Sequence, residues 1–227
     1  AVNACLLISV NYNLFEDTFF VVDQIGRSGF TIPYIDGSLS ISRASRTFPQ
    51  YLIFKPGMVI TAILLCFYWH KNNLLVNNFK DTESKKNTFM IFGVLSAIFL
   101  LLHSILLGLE TDIKIFKFLR RVVLLGFIIF EIIAQSLLVV NFYKLKIKLK
   151  NYCNSNILKL KILLVLILIV IGIGSIPILI MSGNVHFKHG LEWNYFIGVI
   201  FFYLLTSFFF GERIKPKELE VFTPHNS

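Results

Sequence analysis

The sequence predicts an all-α membrane protein, a bundle of six transmembrane helices of which the first is truncated. Apolar runs of about 20 residues recur along the chain, and at 1.5 Å per residue this length matches a hydrocarbon core of about 30 Å. Hydrophobic residues make up 56% of the chain and the mean hydropathy is +0.72, which is more apolar surface than one soluble core encloses. Five such runs are present: Tyr51–Trp69, Phe89–Leu109, Val122–Phe142, Ile162–Met181 and Leu191–Phe210.

The distribution of Lys and Arg predicts how the runs are oriented. Thirteen of the 22 cationic residues fall in residues 70–88, residues 143–161 and the tail, and nine fall on the opposite side. Because cationic loops resist translocation, the larger set is expected in the cytoplasm. The net charge of +9 then reflects contact with anionic headgroups, and no nucleic-acid binding is expected.

This orientation divides the chain into four parts. Residues 11–50 form an extracytoplasmic loop, residues 51–211 the five-span bundle, and residues 212–227 a cytoplasmic tail. Residues 1–10 are interpreted as the end of a first span, because about 15 Å of helix is too short to deliver the loop outside alone. The alternative is a five-span protein with an exported N-terminus. Within the loop, Phe19–Val22 and Phe30–Tyr34 predict a small β-hairpin around a glycine-rich turn.

Three polar residues fall inside the apolar runs. Glu131 lies near the middle of its run, Gln135 follows one turn later on the same face, and His103 lies in the preceding run. Counted from the ends of the runs, the depths of His103 and Glu131 differ by about 5 Å, so the two side chains meet if their faces agree. An intramembrane carboxylate indicates either a proton or solute pathway or a hydrogen-bonded contact between helices.

A denser polar set lies at the predicted outer membrane face. Arg43, Arg46, His189 and Glu192 come from distant parts of the chain. Guanidinium groups bind phosphate bidentately, so a phospholipid headgroup or a phosphorylated glycolipid is the expected ligand. Arg120 and Arg121 lie on the same face, where pairing with the nearby acids Glu110 and Asp112 is the simpler interpretation.

No cofactor is predicted. His186-x-x-His189-x-x-Glu192 has some character of a metal site but lacks HExxH spacing, so no metal is expected. Cys5, Cys66 and Cys153 have no CxxC spacing that would indicate zinc or a disulfide framework. Nucleotide-binding and hydrolase motifs are also missing from the sequence, and whether the protein is an enzyme stays open.

Two short motifs resemble a known family. Ser40-Ile41-Ser42, followed by Phe48-Pro49-Gln50-Tyr51 and a span ending in Tyr68-Trp69, resembles the family that contains the autophagy modulator DRAM and the GPI-anchor lipid-remodelling membrane proteins. Leu191-Glu192-Trp193 is similar to the Glu-Trp that opens the last helix of that family. Leu39 stands where the family usually has Pro, which favours a distant, bacterial branch without a GPI-specific role.

The resemblance implies six spans, cytoplasmic ends and a site at the outer face. The residues it implies for that site, with their neighbours, are Ser40, Ser42, Arg43, Arg46, His189, Glu192 and Trp193.

Three functions are therefore considered. The leading hypothesis is a protein that binds or remodels a membrane lipid at its outer-leaflet face. The alternatives are a proton- or solute-coupled transporter that uses Glu131 and His103, and a non-catalytic membrane scaffold. Membrane lipids are the expected partners, together with a membrane protein or a second copy of the chain. The expected location is the plasma membrane of a bacterium, or a Golgi, ER or endolysosomal membrane of a eukaryote.

Overall fold

The computed structural model describes residues 1–11, 31–80, 87–107, 114–150, 152–181 and 183–210. These residues form eight α-helices and no strand, and an isolated antiparallel bridge joins Cys153 to Phe210. The helices are α1 (Val2–Val10), α2 (Pro33–Asp36), α3 (Ile41–Ala44), α4 (Gln50–Phe79), α5 (Thr88–Leu106), α6 (Lys114–Lys144), α7 (Ser155–Ile180) and α8 (Val185–Phe209).

Helices α4 to α8 are each long and apolar enough to cross a membrane, which confirms the five predicted spans. Between 22% and 39% of the residues in each apolar stretch are buried within the bundle, so most of the residues keep some apolar surface exposed. Leu64, Phe67 and Val170, for example, are at least 60% exposed. Only lipid solvates such a surface favourably, and the chain is a multi-pass integral membrane protein. Helix α1 has nine residues, and a sixth span stays a prediction.

The spans pack in chain order, with α5 between α4 and α6, and α7 between α6 and α8. The close approach of α4 and α5 depends on Gly93. A Cβ at this position would lie 2.3 Å from the indole of Trp69, which is itself fully buried. The Trp69 ring therefore lies directly on the α5 backbone, and a glycine is required beneath it.

The loop before α4 is helical where the structure describes it. The predicted hairpin lies mostly on residues 12–30, outside the described residues. Its second strand is wrong at Pro33 and Tyr34, which belong to α2, because Pro is favoured in the first turn of a helix. Gly37, with φ +60°, ends α2, and Ser40 caps α3 by accepting a hydrogen bond from the Arg43 N–H at 3.1 Å.

Four of the spanning helices extend at least six residues beyond their apolar runs. Helix α4 continues to Phe79, ten residues past Trp69, and α6 begins at Lys114, eight residues before Val122. The polar ends of these helices remain helical because side chains at the membrane surface reach water. The depth of a residue in the bundle therefore differs from its position in the apolar run.

Candidate functional site

The α2–α3 loop is fastened to α8 by a group of direct contacts. The indole N–H of Trp193 donates to the Leu39 carbonyl at 2.7 Å, and the Tyr34 ring meets the Trp193 ring edge-on at 4.9 Å between centroids. The Asn194 amide donates to the Tyr34 carbonyl at 2.8 Å. Both ends of the loop segment that precedes α3 are thus held on the first turns of α8.

His189 and Glu192 of α8 bind the loop through its backbone. Nδ1 of His189 lies 3.0 Å from the Gly37 carbonyl oxygen, and because a carbonyl only accepts, this nitrogen carries the hydrogen. The Glu192 carboxyl group lies beside the N–H groups of Ile41 and Ser42, at the start of α3. The orientation of both side chains is therefore set by the loop.

A cavity of about 320 Å³ lies where this loop meets the ends of α5, α6 and α8. We call it the arginine cavity. Its lining comprises Ser40, Ser42, Arg43, Arg46, His103, Arg120, Arg121, Leu124, His189 and Glu192. Six of the seven residues predicted for the outer site line it. The seventh, Trp193, is fully buried and supports the loop from behind. Whether these residues bind a headgroup stays a prediction.

The lining of the arginine cavity is strongly cationic, with four guanidinium groups and one carboxylate. Arg120 and Arg121 were interpreted from the sequence as partners of surface acids, but the acids lie outside the described residues. That interpretation stays a prediction. Both arginines line the same cavity as Arg43 and Arg46. The sequence feature that could have assigned them to this site is a pair of adjacent arginines at the start of a predicted span. Such a cavity is suited to an anion with several oxygens, such as a phosphate or sulfate group.

His103 is buried at the arginine cavity and does not pair with Glu131. Its imidazole lies beside the Arg120 backbone carbonyl, and Nδ1 has no partner within the described residues. Arg120 precedes Glu131 by about 16 Å along α6. The contact between His103 and Glu131 that the sequence allowed is not formed, because His103 lies at the level of Arg120.

Glu131 is fully buried at the centre of the bundle, where four side chains form the central network. Ser96 of α5 donates to Oε2 at 2.7 Å, and Gln135 donates to Oε1 at 2.8 Å. The Tyr203 hydroxyl of α8 also donates to Oε1. One carboxyl group therefore joins α5, α6 and α8, which is the helix-joining contact considered from the sequence.

A second polar contact was missed by the sequence analysis. Lys161 was counted as a cytoplasmic loop residue, yet its side chain is fully buried in α7. Its Nζ donates to the Thr206 hydroxyl at 2.6 Å and lies 4.2 Å from the centroid of the Phe202 ring. Thr206 in turn lies 3.1 Å from the Tyr68 hydroxyl, and the Tyr68 ring contacts Tyr203 of the central network. Polar side chains thus extend from one end of the bundle towards Glu131.

The histidine motif at the start of α8 does not gather around one point. His186 is exposed and is not part of the cavity lining, whereas His189 and Glu192 are. Within the described part of the chain, no group of three or more His, Cys, Asp or Glu side chains is placed to hold a metal ion.

Comparison with known proteins identified no relative of this chain. No protein-family model matches the chain, and no curated protein or solved structure matches it. The fold and the cavity place the chain in the class of multi-pass membrane proteins, with a cationic cavity at one end of its spans.

Proposed function

We propose that the protein binds the phosphate group of a membrane lipid in the arginine cavity. The observation that carries the proposal is the convergence of Arg43 and Arg46 from the loop with Arg120 and Arg121 from α6 on one cavity of about 320 Å³. Guanidinium groups from separate helices surround a phosphate from several sides, each able to donate two parallel hydrogen bonds. A cavity of this size accommodates a headgroup and leaves the acyl chains outside.

The surroundings of the cavity favour a lipid over a free anion. Arg121, seven residues into α6, is exposed, and Val122 and Leu125, which follow it, are 42% and 54% exposed. Leu124, between them, lines the cavity, so apolar side chains of α6 adjoin it. A lipid whose phosphate occupies the cavity can therefore lay its chains along α6. The charge distribution of the sequence assigns this end to the outer leaflet.

The DRAM-like motifs support the same proposal. Ser40 and Ser42 of the first motif and Glu192 of the second line one cavity, although about 150 positions separate the motifs. Members of that family handle membrane lipids. The proposal therefore includes remodelling of the bound lipid by this chain. No GPI-specific role is proposed.

The experiment is lipid binding by the full chain in detergent micelles, followed by native mass spectrometry. Dioctanoyl phosphatidic acid is titrated against the wild type and the double variant R43Q/R46Q. We expect the variant to bind at least tenfold more weakly, since two of four guanidinium groups are lost. The matched control is K71Q, which removes an exposed charge at the other end of α4. Equal binding by all three proteins would overturn the proposal.

A second candidate function is supported by the polar side chains between Lys161 and Glu131. Ionisable residues buried inside a span mark proton or solute pathways in many transporters. Thr206 and Tyr68 connect Lys161 towards the central network. In proteoliposomes, a proton or solute flux that is abolished by E131Q supports transport, and a flux unchanged by E131Q counts against it. A scaffold role is supported if neither lipid binding nor flux responds to these variants.

A further inference from the structure

The lining of the arginine cavity carries more positive charge than its acid can neutralise. Glu192 is the one carboxylate in the lining among the described residues. Without counting Arg46, the guanidinium groups of Arg43, Arg120 and Arg121 share the lining with it. Even if Glu192 pairs with one of these three groups, two positive charges remain for a ligand. A ligand with one negative charge therefore leaves a cation in the cavity without a counter-ion, which is unfavourable away from bulk water.

Two of these cations are neighbours in sequence. Arg120 is half-buried, and the positive charge of Arg121 repels its own. Like charges repel more strongly where water is partly excluded, and an anion that contacts both groups offsets the repulsion. Because Coulomb attraction scales with the charge of the anion, a dianion offsets the repulsion better than a monoanion. The adjacent pair therefore also favours a doubly charged ligand.

The number of free phosphate oxygens favours the same kind of ligand. A guanidinium group makes its bidentate contact with a pair of oxygens on one phosphorus. A phosphodiester has two unesterified oxygens and offers one such pair, whereas a phosphomonoester has three and offers three pairs. The phosphomonoester also carries a charge of about −1.5 to −2 at pH 7, and the phosphodiester only about −1. Guanidinium groups that converge from the loop and from α6 therefore match a phosphomonoester in both charge and oxygen count.

We propose that the cavity selects a lipid phosphomonoester, such as a phosphatidic acid, over phosphodiester lipids. The phosphate lies among Arg43, Arg120 and Arg121, and each guanidinium group contacts a different pair of its oxygens. This selection rests on the proposed function, because it concerns the same phosphate site. A single methyl ester on the phosphate removes the second charge and two of the three oxygen pairs, so a very small change in the ligand causes a large loss of affinity.

The test compares dioctanoyl phosphatidic acid with dioctanoyl phosphatidylmethanol, which differs by that one methyl ester. Each lipid is titrated against the full chain in detergent by native mass spectrometry, at about pH 7.5, where the phosphomonoester is mostly a dianion. We expect phosphatidic acid to bind at least tenfold more tightly. Glycerol 3-phosphate carries the same phosphomonoester without acyl chains, and it should bind at least tenfold more weakly than phosphatidic acid.

Two variants separate the cavity from the general positive charge of the protein. R121Q removes an exposed guanidinium group of the lining, whereas K188Q removes a cation in the first turn of α8 that is not part of the lining. R121Q should weaken phosphatidic acid binding about tenfold and phosphatidylmethanol binding no more than about threefold, because the second charge of the ligand loses its partner. K188Q should leave the ratio of the two affinities unchanged.

The outcomes separate this selection from the proposed function. If the two lipids bind equally and both lose affinity in R43Q/R46Q, the phosphate site stands and the selection is wrong. A preference that R121Q leaves unchanged, or that K188Q reduces as much, arises outside the cavity and also overturns the selection. If phosphatidic acid does not respond to R43Q/R46Q, or if glycerol 3-phosphate binds as tightly, the proposed lipid site itself fails. A variant that elutes as an aggregate on size exclusion is set aside, and the wild-type affinity ratio then decides: a ratio near one overturns the selection.

Discussion

The indole N–H of Trp193 lies 2.7 Å from the carbonyl oxygen of Leu39, 154 positions earlier in the chain. Both residues are buried, and Leu39 directly precedes the cap of α3. With the other contacts between the loop and α8, this bond fixes the segment that carries Arg43 relative to the helix that carries Glu192. The shape of the arginine cavity depends on it.

Replacing Trp193 with Phe tests this dependence. The aromatic contact with Tyr34 is largely retained, but the buried Leu39 carbonyl loses its donor, which costs about 1–3 kcal/mol. We expect a lower thermal unfolding midpoint in detergent and weaker binding of phosphatidic acid. Phe208→Leu, at a 61% exposed site on the same helix, is the control and should change neither quantity. Equal effects of the two substitutions would contradict the assignment.

Gly37 and Gly183 form a matched pair for a second prediction. Both have positive φ, +60° and +94°, so alanine is strained at either position. At Gly37 a Cβ would also lie 1.7 Å from the His186 carbonyl oxygen, whereas at Gly183 no atom of the described residues lies within 4 Å of it. We therefore expect G37A to separate the loop from α8 and to lower phosphatidic acid affinity at least tenfold. G183A should lower the unfolding midpoint slightly and leave affinity unchanged; a comparable loss of affinity in G183A would refute this.

Much of this fold could be predicted because the signals are local. The length and composition of each apolar run are sufficient to identify a span, and the five spans are confirmed. The lining residues from Ser40 to Arg46 and from His189 to Glu192 were also predicted as one group, from charge type and from short motifs. Their convergence required only that both segments lie at the same membrane face.

What could not be predicted depends on helix register beyond the apolar runs. His103 was placed too close to Glu131 because the depth of Glu131 was counted from Val122, whereas α6 begins at Lys114. Lys161 was assigned to a loop because its apolar run begins at the next residue, yet α7 begins six residues earlier, at Ser155. Composition does not reveal how far a helix continues through polar residues.

The central network predicts different outcomes for two substitutions of Glu131. In E131Q the side-chain oxygen can still accept from Gln135 and Tyr203, and the new amide can donate to Ser96, whose hydroxyl also lies 2.8 Å from the Gly93 carbonyl. E131A leaves these polar groups unpaired beside a cavity, which costs roughly 3–5 kcal/mol. Thermal unfolding in detergent should show a small shift for E131Q and a large one for E131A. Similar shifts for both would argue against a hydrogen-bonded role.

The hydrogen bonds of Asp36 predict that the stability of the fold depends on pH. Its exposed carboxylate accepts from the Ser38 N–H at 2.8 Å, and also from Thr31 and the Ile32 N–H, so its pKa is lowered to about 2. A folded pKa below the unfolded value of about 3.9 stabilises the fold above pH 4, and this contribution is lost as the pH falls towards 2. The wild type should therefore unfold at a higher temperature than D36N at neutral pH. Below about pH 2 the two midpoints should converge, and a difference independent of pH would contradict the assignment.

The burial of Lys161 predicts that substitutions at this position affect protein stability and transport separately. Its ammonium group is fully buried in α7 and contacts the Thr206 hydroxyl and the Phe202 ring. It lies at one end of the series of polar groups that leads to Glu131. Burying a charge is costly, so an apolar side chain of similar length is expected to be neutral or stabilising, whereas alanine leaves a cavity. We expect K161M to retain or raise the unfolding midpoint and K161A to lower it, with the exposed K159M as control. If Lys161 serves transport, K161M abolishes flux in proteoliposomes although the protein is no less stable. A K161M variant as unstable as K161A would instead make the ammonium group a structural contact between α7 and α8.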